Sequence, residues 1–526
     1  MSETTRSIAP QRSSTPRPLP DHVRVAVIGA GFGGLGAAIR LRQEGHDDFV
    51  VLEKGDDVGG TWWWNTYPGA QCDIPSVLYS FSFAPKPDWS RLYPLQEELQ
   101  SYLHECVERF GVGDHLHLRT EMLDAAWDEN SQVWRIETSR GSLTASVLVA
   151  ATGPFSEASI PDLPGIDTFQ GEAFHSMHWR HDLDLEGKRI GVIGTGASAV
   201  QFIPQLQPLA DRLTVFQRTA TWILPHPDRP VPPRAQRLFA RWGAPQRAMR
   251  LGWELVQEAM VPGFVWWPPL QKGLELTARW HLRRQVADRD LRAQLRPGYA
   301  VGCKRPTFSN SYYPALASEN VTVTGSGIDR VTTHGIVTAD GTLHELDVIV
   351  YGTGFRITGN SGFARLRGRD GRTLAEHWAG GEPRTDLGTA VTGFPNMLML
   401  LGPNSVTYTS QVVTIEAQVE YLLETLRVLD QHDLASLEVT TSAQASFVEW
   451  ISRGLARSVW NTGGCASYYL SPTGFNFTFW PGFARGFKRR MQRVELADHA
   501  VVEARAVPGA LSPTATRATV ERLAHR

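Results

Sequence analysis

Cysteine is scarce in this chain: four residues in 526, namely Cys72, Cys106, Cys303 and Cys465, scattered and without a C-x-x-C pair. This argues against a disulfide framework, a zinc site or a thiol-disulfide reductase centre, and fits a reducing cytoplasm. An excess of one charge is lacking too. A formal net charge of -2, from 52 basic and 54 acidic residues, gives no extended basic surface, which argues against nucleic acid and anionic membrane as partners. No apolar run is long enough to span a bilayer. The nearest, Val261 to Leu270, is interrupted by Pro262, Gly263, Pro268 and Pro269. The first residues, to about Asp21, lack the apolar stretch of a signal peptide and any core-forming period, so residues 1–22 are expected to be a disordered tail. A soluble, cytoplasmic protein acting on small molecules is the expectation.

What is present points to more than one core, since 526 residues at 42% hydrophobic content exceed what a single core holds. Val23 to Ile28 is a β-branched run of the buried parallel-strand type. It feeds into Gly29-Ala-Gly31-Phe-Gly-Gly34 and then a helical pattern, Leu35 to Leu41. In such a strand, turn and helix, Gly29 allows the tight turn, Gly31 lets the backbone approach a pyrophosphate, and Gly34 lets the helix pack closely on the strand. A second strand, Phe49 to Leu52, ends in Glu53, whose carboxylate can accept hydrogen bonds from ribose hydroxyls.

The pattern returns at Arg189 to Ile193, Gly194-Thr-Gly196-Ala-Ser198-Ala199 and the helical stretch Val200 to Leu206, with Leu213 to Phe216 as the next strand. The residue offset from Gly194 as Glu53 is from Gly29 is Arg218. A carboxylate there would repel a 2'-phosphate, whereas a guanidinium can hold one with two hydrogen bonds. The second site therefore reads as NADPH and the first as FAD.

Two further strands stopped by glycine turns, Leu148 to Ala151 before Gly153 and Val348 to Tyr351 before Gly352, are read as the places where the chain leaves and re-enters the first domain. The expected fold is α/β, with two Rossmann-like dinucleotide-binding domains, the second inserted into the first. The FAD domain is assigned to 23–154 and 335–490, the NADPH domain to 155–334 with a helical excursion at about 225–297, and a C-terminal extension to 491–526. The excursion is either a structural layer or a substrate lid.

One stretch is more specific. Gly59-Gly60-Thr61-Trp62-Trp63-Trp64-Asn65-Thr66-Tyr67-Pro68-Gly69-Ala70-Gln71-Cys72-Asp73 resembles the first long signature of Baeyer-Villiger monooxygenases, G-G-x-W-x-x-x-x-Y-P-G-x-x-x-D, at every specified position. Phe169, Gly171, His175 and Trp179 resemble the second signature, which then departs at Arg180, where Pro or Asp is the pattern. Gly302-Cys303-Lys304-Arg305 before Tyr312-Tyr313, and Gly402-Pro403-Asn404-Ser405, add to the likeness, which runs from about Val23 to about Arg490.

The resemblance implies a class B flavoprotein monooxygenase that uses FAD, NADPH and O2 to convert a ketone to an ester or lactone through a C4a-peroxyflavin. That chemistry needs a fixed positive charge to keep the peroxide nucleophilic, and arginine stays ionised at any working pH. By match to the motif, Arg305 is implied as that catalytic residue, with Asp73 to position it and contact the cofactors. Lys304 is implied to help hold the NADPH 2'-phosphate, Thr219 to assist Arg218, and Thr61, Trp62, Trp64 and Tyr79 to contact the flavin region. His175 is expected to set domain orientation rather than to act as acid or base. Gly463 to Tyr469, with Gly474, reads either as a mobile loop near the substrate or as a structural turn. The alternatives are a related flavin monooxygenase oxidising sulfur or nitrogen, a flavin disulfide reductase, and a cofactor-binding protein without turnover. The ketone and the oligomeric state stay open.

Overall fold

Apolar β-branched runs leave no polar face, so they stack as parallel strands between helices. The chain does this twice. A computed structural model describes residues 17–379 and 382–504. The first sheet is built from β1 (His22–Ile28), β2 (Phe49–Leu52) and β3 (Leu116–His117), then a meander of β4 (Met122–Asp128), β5 (Val133–Thr138) and β6 (Gly141–Ala150). β1 lies parallel between β2 and β6, and β6 continues antiparallel onto β5 and β4. Val27 of β1 and Leu35 of α1 (Phe32–Gln43) are fully buried. Each such side chain contributes about 1.5–3 kcal/mol.

The second sheet contains β7 (Glu172–His175), β8 (Arg189–Ile193), β9 (Arg212–Phe216), β10 (Val321–Thr324) and β11 (Val348–Tyr351), all parallel in the order β10-β9-β8-β11-β7. Helix α2 (Ala197–Leu206) follows β8. Here one expectation is corrected: Val348–Tyr351 does not re-enter the first sheet but pairs with β8 and β7 in the second. The chain rejoins the first sheet only at β12 (Leu366–Arg367) on β4 and β13 (Met397–Met399) on β6.

Between β9 and β10 the helical excursion comprises α3 (Pro233–Arg241), α4 (Gly243–Glu258) and α5 (Lys272–Gln285), with single turns at Pro262–Trp266 and Pro268–Gln271 and a short last helix, Arg289–Gln294. The expected tail is also narrower than 1–22. Residues 1–16 lie outside the described residues, but Arg17 pairs with Asp114, Leu19 packs on the apolar cluster that holds Val23 and Ala26 of β1, and β1 starts at His22. The expected extension beyond 504 lies outside the described residues as well, whereas His499–Glu503 pairs antiparallel with Leu434–Val439.

The two crossings between the units run side by side. Ser159 N–H donates to the Gly354 carbonyl at 2.9 Å and Arg356 N–H to the Glu157 carbonyl at 3.0 Å, with Phe155 and Phe355 in ring contact.

Candidate active site

The first glycine turn has the geometry that its sequence requires. Gly29 has φ +106°, and a Cβ there would lie 2.6 Å from the Ala151 carbonyl oxygen, so only glycine fits without strain. A Cβ on Gly34 would fall 1.8 Å from the Gly29 carbonyl oxygen, so helix rests directly on turn. Gly31 faces Gly60, whose Cβ would meet Gly31 Cα at 2.9 Å; two bare backbones meet at the start of α1. No side chain caps that helix and its first turn carries no acid, which leaves its N–H groups and positive end to an anion. Glu53 is buried, and its carboxylate accepts from Ala30 N–H at 2.8 Å and Gly55 N–H at 2.7 Å, bracing the turn.

The second turn repeats the first. A Cβ on Gly194 would lie 2.4 Å from the Gly352 carbonyl oxygen, just as Gly29 meets Ala151. The glycine stops after β6 and β11 are thus equivalent, each closing its own unit, which is the physical reason for the correction above. Ala199 is fully buried, and a Cβ on Gly352 would come within 3.0 Å of its Cβ. Gly196 precedes α2, again uncapped and without a first-turn acid, and Ser198 lies beside the Tyr67 hydroxyl. The Thr219 carbonyl accepts from the Thr195 hydroxyl at 2.9 Å.

Arg218 and Lys304, distant in sequence, are brought together. Burial and the Arg218 charge both push the Lys304 ammonium below its usual range. Lys304 Nζ lies 5.4 Å over the Tyr299 ring. Among the described residues no ion pair involves either cation, so two like charges share a place without an acid, an arrangement suited to a bound anion. A cavity of about 440 Å³ borders Trp222, Arg296 and Tyr299 nearby; it does not reach Arg305.

Arg305 and Asp73 form a two-bonded ion pair, Nε to Oδ2 at 2.7 Å and Nη2 to Oδ1 at 2.9 Å. The Arg305 side chain keeps 44% of its surface accessible, yet Tyr408 and Tyr469 crowd it, and burial opposes its charge while Asp73 and the two tyrosines together hold it above the usual range. Its open surface therefore faces a cleft rather than bulk solvent. The Asp73 segment is held from both sides. Tyr67 hydroxyl donates to Gln201 of α2 at 2.9 Å, and Gln201 donates back to the Gln71 carbonyl at 2.8 Å. Asp228 gathers the Gln71 amide, the Arg91 guanidinium and the Tyr93 N–H.

Thr61, Trp62 and Trp64 lie on a short helix, Thr61–Trp64. Trp62 Nε1 donates to the Tyr79 hydroxyl at 3.3 Å, Tyr79 packs on Phe32 of α1, and Trp64 packs on His178. His175 ends β7, buried, accepting at Nδ1 from Met177 N–H; burial pushes its pKa down to about 4. Trp179 packs on Phe174 and Phe202. Arg180 takes up the departure from the second signature by bridging Asp182 and Glu172.

The cysteine reading is corrected. Cys303 and Cys465, 162 positions apart, form a disulfide, whereas Cys72 and Cys106 are free and buried. The bridge ties the residue before Lys304 and Arg305 to the loop Gly463 to Tyr469. Ala300 N–H donates to the Gly463 carbonyl, and Tyr469 is buried beside Arg305. Sequence reasoning missed Tyr408, which stacks on Phe264 at 4.0 Å, and Asp228; only the Tyr468-Tyr469 doublet carried a signal, as part of that loop.

A family model described as pyridine nucleotide-disulphide oxidoreductase matches residues 26–242, which hold both glycine turns. A Baeyer-Villiger monooxygenase of Streptomyces coelicolor is 47% identical over 92% of this chain and 93% of its own length. One of Pseudomonas aeruginosa is 44% identical over 92% of each. Among solved structures, a steroid monooxygenase bound to NADP superposes with a TM-score of 0.82 at 32% identity, over 92% of this chain and all of that one. A cyclohexanone monooxygenase in a closed form gives 0.82 at 29% identity, with the same coverage. The two equivalent glycine turns, the Arg305–Asp73 ion pair and these likenesses agree: the chain belongs to the Baeyer-Villiger monooxygenase family.

Proposed function

We propose that this protein converts a ketone to an ester or lactone with FAD, NADPH and O2, and that Arg305 and Asp73 are the residues on which that reaction turns. The observation that carries the reading is the Arg305–Asp73 pair, set beside Tyr408 and Tyr469. The residues suit the two nucleotides. The bare Gly31–Gly60 approach, the uncapped α1 and the braced Glu53 suit FAD; the uncapped α2 with Arg218 and Lys304 suits NADPH.

When bound, FAD supplies the oxygen-activating chemistry and NADPH the hydride. Arg305 holds a charge that no working pH removes, with a fork of donors for a developing oxyanion. Asp73 fixes the direction of that fork and offsets its charge while the cleft is empty of substrate. Tyr408 and Tyr469 line one side of it and limit, without closing, its access to solvent. His175, neutral near pH 7, moves no proton; it sets the junction between β7 and the crossing. Lys304 and Arg218 hold the 2'-phosphate, and Trp62, Tyr79, Thr61 and Trp64 frame the flavin side.

The test is a panel of linear, cyclic and polycyclic ketones beside a thioether, following ketone-stimulated NADPH consumption and product mass. An ester or lactone carrying one added oxygen is the expected product. A sulfoxide from the thioether with no ketone turned over would overturn the assignment.

A further inference from the structure

The chain-wide balance of charge conceals a local asymmetry. Nineteen large apolar side chains are exposed among the described residues, and ten of them fall between positions 238 and 280, a concentration rather than the usual scatter. They follow the helical repeat. Leu251 and Leu255 share the outer face of α4, and Leu276 and Trp280 that of α5, each pair four apart. Between these helices the turns present Trp266, Trp267 and Leu270. Leu276 is 67% exposed, Trp267 61% and Trp280 54%, so these are outward stripes additional to the faces that the helices bury.

The exposed charges carried by α3, α4 and α5 are all of one sign. Within residues 232–287 the exposed charged side chains are Arg234, Arg237, Arg241, Arg247, Lys272, Arg283 and Arg284. Every acid of the segment is half-buried and engaged: Glu254 with Lys488, Glu275 with Arg279, and Glu258 with the Ala484 N–H. On α5, Lys272 and Arg283 flank Leu276 and Trp280 on one face, and Arg284 lies over the Trp280 ring. Trp266 carries the patch on to exposed Phe483, at the head of the short basic helix Ala484–Arg490.

We propose that this face of the helical excursion is a docking surface for an anionic lipid bilayer, the helices lying in the interface without crossing it. No helix among the described residues is long and apolar enough to cross a membrane. Tryptophan and leucine enter the headgroup boundary, while arginine and lysine reach outward to lipid phosphates along their apolar stems. A second copy of this chain is a poor occupant, because a two-fold contact would set these cations against each other with no exposed acid on the same helices to pair.

The test uses the full-length holoenzyme in flotation with phosphatidylcholine vesicles, with or without about 30% phosphatidylglycerol. Binding to the anionic vesicles at least about tenfold stronger is expected, with a blue shift of tryptophan emission, and its loss in about 0.5 M salt. The double variant R283E/R284E and the triple variant W267S/L276S/W280S should each lose binding, while keeping the wild-type melting temperature and turnover of a water-soluble substrate. Equal recovery with and without phosphatidylglycerol overturns the proposal. So does an oligomer that the triple variant dissociates while wild type leaves vesicles unbound.

Discussion

Both carboxylate oxygens of Asp73 are held by two nitrogens of Arg305, at 2.7 and 2.9 Å, although 232 positions separate the two residues in the chain. The pair thus exists only when these distant segments are folded together. Replacing Arg305 by Ala is expected to leave FAD bound and reducible by NADPH while ester formation falls about 10²–10³-fold or more. Asp73→Asn, which keeps shape but not charge, should give a smaller loss in kcat. Single-turnover reduction with product analysis separates the two steps; normal ester yield from the Arg305 variant would refute its role.

Arg218 and Lys304 stand together without an acid. Arg218→Ala should raise the KM for NADPH about 10- to 100-fold, the range of a lost charge-assisted contact, and leave that for NADH nearly unchanged, since only NADPH carries the extra phosphate. Equal increases for both nucleotides would count against the reading.

A pH dependence follows from the same neighbours. The Lys304 ammonium is held below its usual range by burial and by Arg218, so it loses its proton at a lower pH than an ordinary lysine. The KM for NADPH should rise with pH through that lowered value. In Arg218→Ala one of the two causes is gone, and the rise should move to higher pH. A plot of KM against pH for both proteins is the measurement.

His175 is buried with its pKa pushed down to about 4, against 6.5 for the free side chain. The unfolded chain therefore takes up a proton below pH 6.5 that the folded protein refuses until about 4. The contribution to stability is whole above pH 6.5 and is lost as pH falls across this window. It amounts to something on the order of 2 kcal/mol once solvent near the junction is allowed for. Melting curves from pH 7 to 4.5 should show a steeper decline in the native protein than in His175→Gln, which cannot titrate.

The Cys303–Cys465 bridge closes a loop of 162 positions between the Arg305 segment and the tyrosine loop. Changing both cysteines to serine should lower stability by about 2–4 kcal/mol and speed limited proteolysis near Gly463 to Gly474. Unchanged cleavage would mean that the packing of Tyr469 alone secures the loop.

What could be read from the sequence was largely what neighbours along the chain determine. The turns at Gly29 and Gly194 follow local backbone rules and took the expected form. Asp73 and Arg305 were legible only through their places in longer signatures, and the structure joins them. The misreadings are long-range. Val348–Tyr351 has the composition of any buried parallel strand, and nothing within it says which sheet it joins. Cys303 and Cys465 look isolated because their partnership depends on how two distant loops dock. Tyr408 and Asp228 carry no motif at all; only the assembled cleft gathers them.

The paired crossings at 157–159 and 354–356 bear on how the two units move. A lone tether is a swivel, free to turn about its own length. Two tethers laced by hydrogen bonds act as a leaf spring: flexing across the ribbon is easy, whereas torsion would pull those bonds apart. Any turning of one unit over the other has to bend this laced ribbon or break its bonds.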